Sequence, residues 1–184
     1  MSNAYYYHGT NQIHRTARVS PSAKLCGQVT VESGVTIEDG ANIEACSIIS
    51  ADTIIRKGAQ IGVAVQIGYA AQIGEGAVLG NKVEINEHSI IGNGVKLDRF
   101  IKIGRCCVID PGVELRGDEN SYPVIPQGHR VVGTDKEGTP VGHRMEEKEL
   151  LSYFPGLGEL IEGAKPEPTT KTAPEANFQS PALG

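Results

Sequence analysis

The chain has 184 residues, the size of one ordinary domain, and a formal net charge of −5 without a basic block, which argues against a nucleic-acid partner. Aromatic residues make up only 5% and Trp is absent, so a core must be built from Ile, Val and Leu. No apolar run reaches membrane-span length, the N-terminus lacks the apolar centre of a signal peptide, and no cysteines form a CxxC pair. We therefore expect a cytoplasmic protein with reduced thiols and no membrane contact.

The first predicted element is an N-terminal cap over residues 1–12. This segment carries the consecutive tyrosines Tyr5, Tyr6 and Tyr7 shortly before the first aliphatic residue of a long repeat. Repeat arrays need a different segment at each end to cover the terminal unit. We therefore expect the tyrosines to cover the first level of the repeat.

A six-residue period follows the cap. The stretch AQIGVAVQIGYAAQIG at residues 59–74 contains the triplet QIG three times, each copy six positions after the last. An aliphatic residue occupies every sixth position over about a hundred residues. A helix would spread these positions around its surface, and no single strand runs for that length. The chain must turn at regular intervals. The aliphatic positions are Ile13, Val19, Leu25, Val31, Ile37, Ile43, Ile49, Ile55, Ile61, Ile67, Ile73, Leu79, Ile85, Ile91, Leu97, Ile103, Ile109 and Leu115.

A second pattern predicts how many sides each turn of the repeating chain has. The position two before each aliphatic is nearly always small, which suits the narrow inside of a prism. Glycine, which adopts positive φ without steric cost, recurs at every eighteenth position in turn-like phrases such as EDGA and GEGA. Since eighteen is three times six, three of the six-residue units make up one level, which predicts a triangular coil. The recurring glycines are Gly40, Gly58, Gly76, Gly94 and Gly112.

This pattern resembles that of the hexapeptide-repeat proteins of the bacterial transferase hexapeptide and acyltransferase superfamily. The resemblance covers roughly residues 13–115 and implies an all-β fold, a left-handed parallel β-helix of about six 18-residue triangular coils. We place this β-helix at residues 13–133. The resemblance also implies a homotrimer with active sites between neighbouring prisms, and acetyl-CoA or another acyl-CoA as co-substrate.

The repeat breaks in the loop phrase RGDENSYP and resumes in VIPQGHRVVG at residues 124–133. The second phrase resembles the one that closes many hexapeptide acyltransferase domains, although the Pro-Ala-Lys or Pro-Ala-Arg that often follows is absent. Residues 134–163 are predicted to form a loop and a short helix, with Leu150, Leu151 and Phe154 on one side and Pro155 as its stop. Residues 164–184, rich in Pro, Thr and Ala, are predicted to be a disordered tail.

The candidate catalytic residue is His88, in the phrase INEHSIIGNG. The resemblance implies a histidine that acts as general base toward an amine or hydroxyl, and a pKa near neutral suits that role. His88 falls at a corner of the coil, so we expect it to face outward. In sugar N-acetyltransferases of the family the histidine often stands four positions before the aliphatic, whereas His88 stands three before Ile91 and Glu87 holds the usual place. A solvated turn histidine is the alternative interpretation.

The candidate acyl-CoA-binding residues are His129 and Gly133 in the closing coil, where CoA often passes in the family. His143 flanks the same coil and is a secondary candidate, with a plain surface position as the alternative. The γ-class carbonic anhydrases share this fold and bind zinc through three histidines. No second histidine lies within forty positions of His88, so no metal site is expected.

Apolar residues at outward positions predict a partner surface. Ile54, Ile90 and Val108 share one outer column, and Ile48 and Val78 also face outward. A homotrimer interface is the default of the family, but a different partner protein would produce the same pattern.

Two classes of function fit these features. The first is a trimeric acyl-CoA-dependent acyltransferase acting on a small, sugar-like acceptor that bears an amine or hydroxyl. The second is a non-catalytic scaffold or complex subunit. The order of IGRCC, a VIP turn and a helix broken by proline resembles the small hexapeptide subunits of the dynactin pointed end, and IHRTARVSPSAKL and SIIGNGVKL resemble the β-helix domain of sugar nucleotidyltransferases.

Overall fold

The computed structural model describes residues 5–117 and 123–157, which form a three-sided parallel β-helix. Most strands are very short because the chain turns a corner at every sixth position. The helix α1 (Glu147–Tyr153) and a 3-10 turn (Pro155–Leu157) follow the last strand. In chain order the strands are β1 (Tyr5–His8), β2 (Asn11–His14), β3 (Arg18–Val19), β4 (Lys24–Leu25), β5 (Thr30–Val31), β6 (Thr36–Ile37), β7 (Asn42–Ile43), β8 (Ile48–Ile49), β9 (Ile54–Ile55), β10 (Gln60–Ile61), β11 (Gln66–Ile67), β12 (Gln72–Ile73), β13 (Val78–Leu79), β14 (Glu84–Ile85), β15 (Ile90–Ile91), β16 (Lys96–Leu97), β17 (Lys102–Ile103), β18 (Val108–Ile109), β19 (Glu114–Leu115), β20 (Val124–Ile125), β21 (His129–Thr134) and β22 (Pro140–Arg144).

The strands stack into three sheets, which we call faces A, B and C. Face A has the order β1-β2-β5-β8-β11-β14-β17-β20, face B the order β3-β6-β9-β12-β15-β18-β21-β22, and face C the order β4-β7-β10-β13-β16-β19. Parallel neighbours lie eighteen positions apart in the sequence, as where Ile61 pairs with Ile43 on one side and Leu79 on the other. The predicted triangular coil is therefore confirmed.

The register shifts once, before the last coil. Ile103 pairs with Ile125 and Ile109 pairs with Val131, so the separation between partners exceeds the regular eighteen positions by four. The additional residues fall in the loop before β20, part of which lies outside the described residues. The phrase VIPQGHRVVG thus continues faces A and B after an insertion.

The inside of the prism is a buried aliphatic column with small residues near its corners. The aliphatic positions from Val31 to Val131 are buried, and face A places Ile67 between Ile49 and Ile85. Three of the small inward residues carry a hydroxyl, and each donates a hydrogen bond to a backbone carbonyl of a glycine, which removes the cost of burying that hydroxyl. These pairs are Ser47 with Gly62, Thr53 with Gly68, and Ser89 with Gly104.

Above the first coil, each corner of the prism contains a residue with positive φ. The glycine column lies at the corner between faces B and C. A Cβ added at any of its five glycines would have no neighbouring atom within 4 Å, so glycine is needed there for φ alone. The other two corners adopt the same conformation with residues such as Ala64, Ala70 and His88, at φ between 52° and 57°. Left-handed backbone costs a non-glycine residue roughly 1–2 kcal/mol, so the coil imposes this conformation on those positions.

The lower, N-terminal end of the prism is extended by an antiparallel strand. Strand β1 pairs with β2, and Tyr5 lies opposite His14, while Tyr6 and Tyr7 are 41% and 66% exposed. In higher coils, each corner N–H group donates a hydrogen bond to a backbone carbonyl of the coil below. In the first coil, side-chain hydroxyls take the place of those carbonyls. The hydroxyls of Thr10, Thr16 and Ser22 accept from the N–H groups of Gln28, Gly34 and Gly40.

The upper end carries a hairpin and the predicted short helix, which together we call the C-terminal cap (residues 129–157). Strand β21 pairs with β18 in parallel and with β22 antiparallel, and β22 was not predicted, because its residues show no alternating pattern. Met145 and Phe154 pack on Val108, which is only 4% exposed. The cap therefore covers the upper part of the outer apolar column, which was predicted to be a partner surface.

Among the described residues no helix has the length and apolar composition needed to cross a bilayer. The predicted disordered tail lies outside the described residues.

Candidate functional site

His88 lies at the corner between faces A and B, in the fifth of the coils, and it is half-buried. Its backbone N–H donates to the carbonyl of Tyr69 at 2.8 Å, and its ring meets the Tyr69 ring edge-to-face with centroids 5.3 Å apart. The outward position predicted for His88 agrees with this placement. An imidazole that is accessible and in contact with an aromatic ring can exchange protons with a ligand in front of the corner.

The neighbours of His88 along the same corner are an ion pair and a thiol. Glu87 forms a salt bridge with Arg105 in the coil above. Cys106 occupies the corner position above His88, and burial against the cap raises the pKa of its thiol. The next residue, Cys107, is an inward core residue, and burial raises the pKa of its thiol to about 12. Both thiols are thus protonated near neutral pH and are weak nucleophiles.

The structure brings His129 near the corner of His88 but leaves Gly133 farther away. His129 directly follows Gly128, which occupies the same corner two coils above His88, a rise of about 10 Å at the usual spacing between strands. A ring nitrogen of His129 contacts the carbonyls of Pro126 and Gln127 at 3.1 Å each. Gly133 lies at the opposite end of β21, where it pairs with Val141, about 16 Å of extended chain from Gly128.

A second cluster of polar groups ties the cap to face B. Arg130 donates two hydrogen bonds of 2.9 Å to the carboxylate of Asp110 and a third, of 3.3 Å, to Glu149 in α1. The other oxygen of Glu149 lies 2.9 Å from Nε2 of His143, and the Arg130 guanidinium lies 5.7 Å from the centroid of the Tyr153 ring. The result is one connected network from the coil through the hairpin to the helix.

Within this network, Arg130 and Glu149 are both stabilised in their charged forms. Hydrogen bonds to Asp110 are the largest influence on Arg130 and raise its pKa. Burial by itself would raise the pKa of Glu149, but hydrogen bonds from His143 and Arg130 outweigh it and lower that pKa below its ordinary value. Glu149 is therefore a carboxylate near neutral pH and can orient the His143 ring.

Two open clefts flank the network. The larger, of about 620 Å³, is lined by residues of both signs, among them His143, Arg144, Lys148 and Glu149. The smaller, of about 380 Å³, lies on the outside of face B, where Ile90 and Gly92 line it between Arg56 and Tyr153. Within residues 5–117 and 123–157, no three His, Cys, Asp or Glu side chains come together as metal ligands.

Sequence reasoning missed the network of Asp110, Arg130 and Glu149. Asp110 and Arg130 are 20 positions apart, and Arg130 and Glu149 are 19 apart, so no local motif joins them. The repeat does place residues of successive coils side by side. The insertion before β20 changes this register, so the repeat predicts Arg130 beside Asp110 only when the length of the insertion is also known.

The comparisons with known proteins agree with this fold. The family model described as GMPPB C-terminal domain matches residues 7–97, just under half of the chain. That span includes the phrases IHRTARVSPSAKL and SIIGNGVKL, which resemble the β-helix domain of sugar nucleotidyltransferases. No sequence among curated proteins matches this chain.

Three solved structures illustrate the likeness. A histidine-to-alanine mutant of GDP-perosamine N-acetyltransferase from Caulobacter crescentus, solved with CoA and GDP-perosamine, is 26% identical, with a TM-score of 0.51, over 66% of this chain and 52% of its own. The acetyltransferase domain of PglB from Neisseria gonorrhoeae, in complex with acetyl coenzyme A, is 24% identical, with a TM-score of 0.53, over 74% and 58%. UDP-N-acetylglucosamine O-acyltransferase from Moraxella catarrhalis is 10% identical, with a TM-score of 0.51, over 84% and 80%.

The chain spans little more than half the length of the first two of these proteins. The last two likenesses concern the fold alone. The first adds that CoA binds to a related β-helix. The protein is therefore a hexapeptide-repeat β-helix that is similar to acyltransferases built on the same fold, as the repeat pattern indicated.

Proposed function

We propose that the protein is an acyl-CoA-dependent acyltransferase that acts on a small, sugar-like acceptor bearing an amine or hydroxyl. The observation that carries the proposal is the likeness of 66% of this chain to a sugar N-acetyltransferase solved with CoA and a nucleotide sugar. His88 supports it, because it is an accessible histidine at a corner of the coil. Fold alone does not set function, so the site must be tested directly.

The proposed reaction needs one base and one place for the donor. His88 takes a proton from the acceptor nitrogen or oxygen as that atom attacks the thioester carbonyl; the new bond to carbon forms, the carbon–sulfur bond breaks, and the proton passes to the CoA thiolate. His129 and Gly133 are the proposed donor contacts along β21. Arg144 and Lys148, which line the larger cleft, are cations that suit the phosphates of CoA.

The assembly proposed for this reaction is a homotrimer. Its active sites would lie between neighbouring prisms, with the corner of His88 at the junction. Size-exclusion chromatography with light scattering measures this directly. A monomer at micromolar concentration that also fails to bind acyl-CoA would contradict the trimeric enzyme.

The test of the function is acyl transfer by the whole chain. Acetyl-CoA is offered together with UDP-, GDP- and dTDP-linked amino sugars, and free CoA is followed with a thiol reagent. Removing a general base lowers the rate by about 10²- to 10⁴-fold, so we expect that loss in His88→Ala. His8→Ala is the matched control, since His8 is an exposed histidine in β1. No turnover with any acceptor and no shift in melting temperature with acetyl-CoA would reject the proposal.

A second candidate function is that of a non-catalytic subunit. It is favoured by exposed apolar side chains in the third and fourth coils, which lie on faces A and C and at the two corners of face A: Ile48, Val63, Tyr69 and Val78. Apolar surface of this kind suits a protein partner. Absence of acyl-CoA binding together with a stable hetero-complex would favour this candidate over the enzyme.

A further inference from the structure

Tyr69 lies one coil below His88 at the corner between faces A and B. The planes of the two rings are 87° apart, which is an edge-to-face arrangement, and the backbone N–H of His88 donates to the Tyr69 carbonyl. Tyr69 is 45% exposed, so the contact forms at the surface, where a ligand can reach the imidazole. The two side chains are therefore fixed relative to each other but remain accessible.

The backbone of the corner does not by itself fix the plane of the His88 ring. The left-handed conformation, at φ 57°, sets where the side chain leaves the chain. The first side-chain torsion then falls into staggered wells, but the torsion to an imidazole is broad. A neighbour that restricts this second torsion decides which ring nitrogen faces a ligand. An edge-to-face aromatic contact is such a neighbour.

We infer that Tyr69 is a positioning residue that holds the His88 imidazole in the orientation needed for proton transfer. The inference rests on the proposed function, because it assigns Tyr69 a role through the proposed base. General-base catalysis needs the nitrogen within hydrogen-bond reach of the acceptor proton, and a freely rotating ring meets that condition only part of the time. The ring of Tyr69 supplies the contact, and its hydroxyl is not required for it.

A second pair in the same chain provides an internal control. Tyr5 and His14 also meet edge-to-face, with centroids 5.0 Å apart and planes 86° apart. This pair joins β1 to the first coil, about four coils below His88, and a ring nitrogen of His14 also contacts the Thr16 hydroxyl at 2.8 Å. Its geometry matches that of the Tyr69 pair, but its position is remote from the proposed site.

The kinetic test uses Tyr69→Ala, Tyr69→Phe and Tyr5→Ala in the whole chain. An aromatic contact of ordinary strength corresponds to about a two- to twelvefold change in rate, so we expect kcat to fall by that factor in Tyr69→Ala while the KM for acetyl-CoA is unchanged. Tyr69→Phe should keep the wild-type kcat, and so should Tyr5→Ala. If His88→Ala is inactive but Tyr69→Ala has the wild-type kcat, the positioning role is overturned and the proposed function stands.

A second test does not depend on activity. In proton NMR of the whole chain, the ring of Tyr69 should displace the resonances of the His88 ring protons through its ring current. We expect those resonances to move in Tyr69→Ala and to return in Tyr69→Phe, while the His14 resonances move only in Tyr5→Ala. His88 resonances that stay in place in Tyr69→Ala would overturn the inference, even if the wild-type chain transfers no acyl group.

Discussion

The central coils and the C-terminal cap are held in place by different interactions. In the coils each residue repeats the environment of its equivalent one level below, and a continuous aliphatic column is sealed by backbone hydrogen bonds on three faces. The cap has no repeat. Its strand β21 pairs with β18, and its hairpin and α1 are held against the coil by a small apolar cluster around Val108 and by the network centred on Arg130.

This difference between coils and cap predicts how far the effect of a single substitution spreads in each region. In the coils, one substitution affects its own level and the two next to it, as expected for a quasi-one-dimensional array. In the cap, the guanidinium of Arg130 links β21 to Asp110 of the coil and to Glu149 of α1, and β22 joins the same carboxylate through His143. We therefore expect the coils to lose stability gradually with each core substitution, and the cap to detach as a unit.

The largest expected effect is in the core of the coils. Ile67 is 1% exposed and lies between two other isoleucines on face A, so Ile67→Ala should lower the free energy of unfolding by about 2–5 kcal/mol. Chemical denaturation followed by far-UV circular dichroism measures this loss. Gln66→Ala, on the exposed side of the same strand, is the matched control and should stay within about 0.5 kcal/mol of the wild type. Equal losses in both variants would mean that the column does not carry the stability of the coil.

A smaller and more local effect is expected at Arg130. Arg130→Gln removes charged partners from Asp110 and Glu149, which are only partly exposed, so the cap should be destabilised by about 1–3 kcal/mol. Hydrogen exchange should rise in α1 and β22 while the amides of the third to fifth coils keep their protection.

The control for Arg130 is a pair on the coil itself. Lys102 and Glu84 form a 2.8 Å salt bridge on the outside of face A, with both side chains about half exposed. Lys102→Gln should change stability by no more than about 1 kcal/mol, because exposed ion pairs are weak. Exchange that rises throughout the coils in Arg130→Gln would show that coil and cap are one cooperative unit.

The smallest expected effect is a dependence of cap docking on pH. The pKa of Glu149 is lower in the folded chain than its ordinary value of 4.5, so its ionisation stabilises the cap above that value. The contribution is lost as the pH falls through the folded pKa. Exchange in α1 should therefore accelerate in acid before exchange in the coils does.

Glu149→Gln isolates this carboxylate. In that variant we expect faster exchange in α1 at neutral pH, because the charged partner of Arg130 and His143 is gone. We also expect a weaker acid dependence of α1. An acid dependence of α1 identical to that of the wild type would assign the effect to another group.

Much of the fold could be predicted from the repeat, and the reason is the regular stacking of the coils. Because residues one full turn apart become neighbours, the positions of Ile61, Gly76 and Cys107 follow from counting. The position of His88 at an outer corner also follows from counting. Its contact with Tyr69 does not, because it depends on side-chain torsions that the period does not specify.

The sequence alone determined the coil, because a short-range rule, one aliphatic at every sixth position, is applied so many times that a single backbone path satisfies it. Only the tertiary structure decided how the chain uses its last coil. The pairing of Ile103 with Ile125 depends on the insertion before β20, and the joining of Asp110, Arg130 and Glu149 depends on that pairing. These residues are brought together by long-range geometry, and no pattern in the neighbouring sequence encodes it.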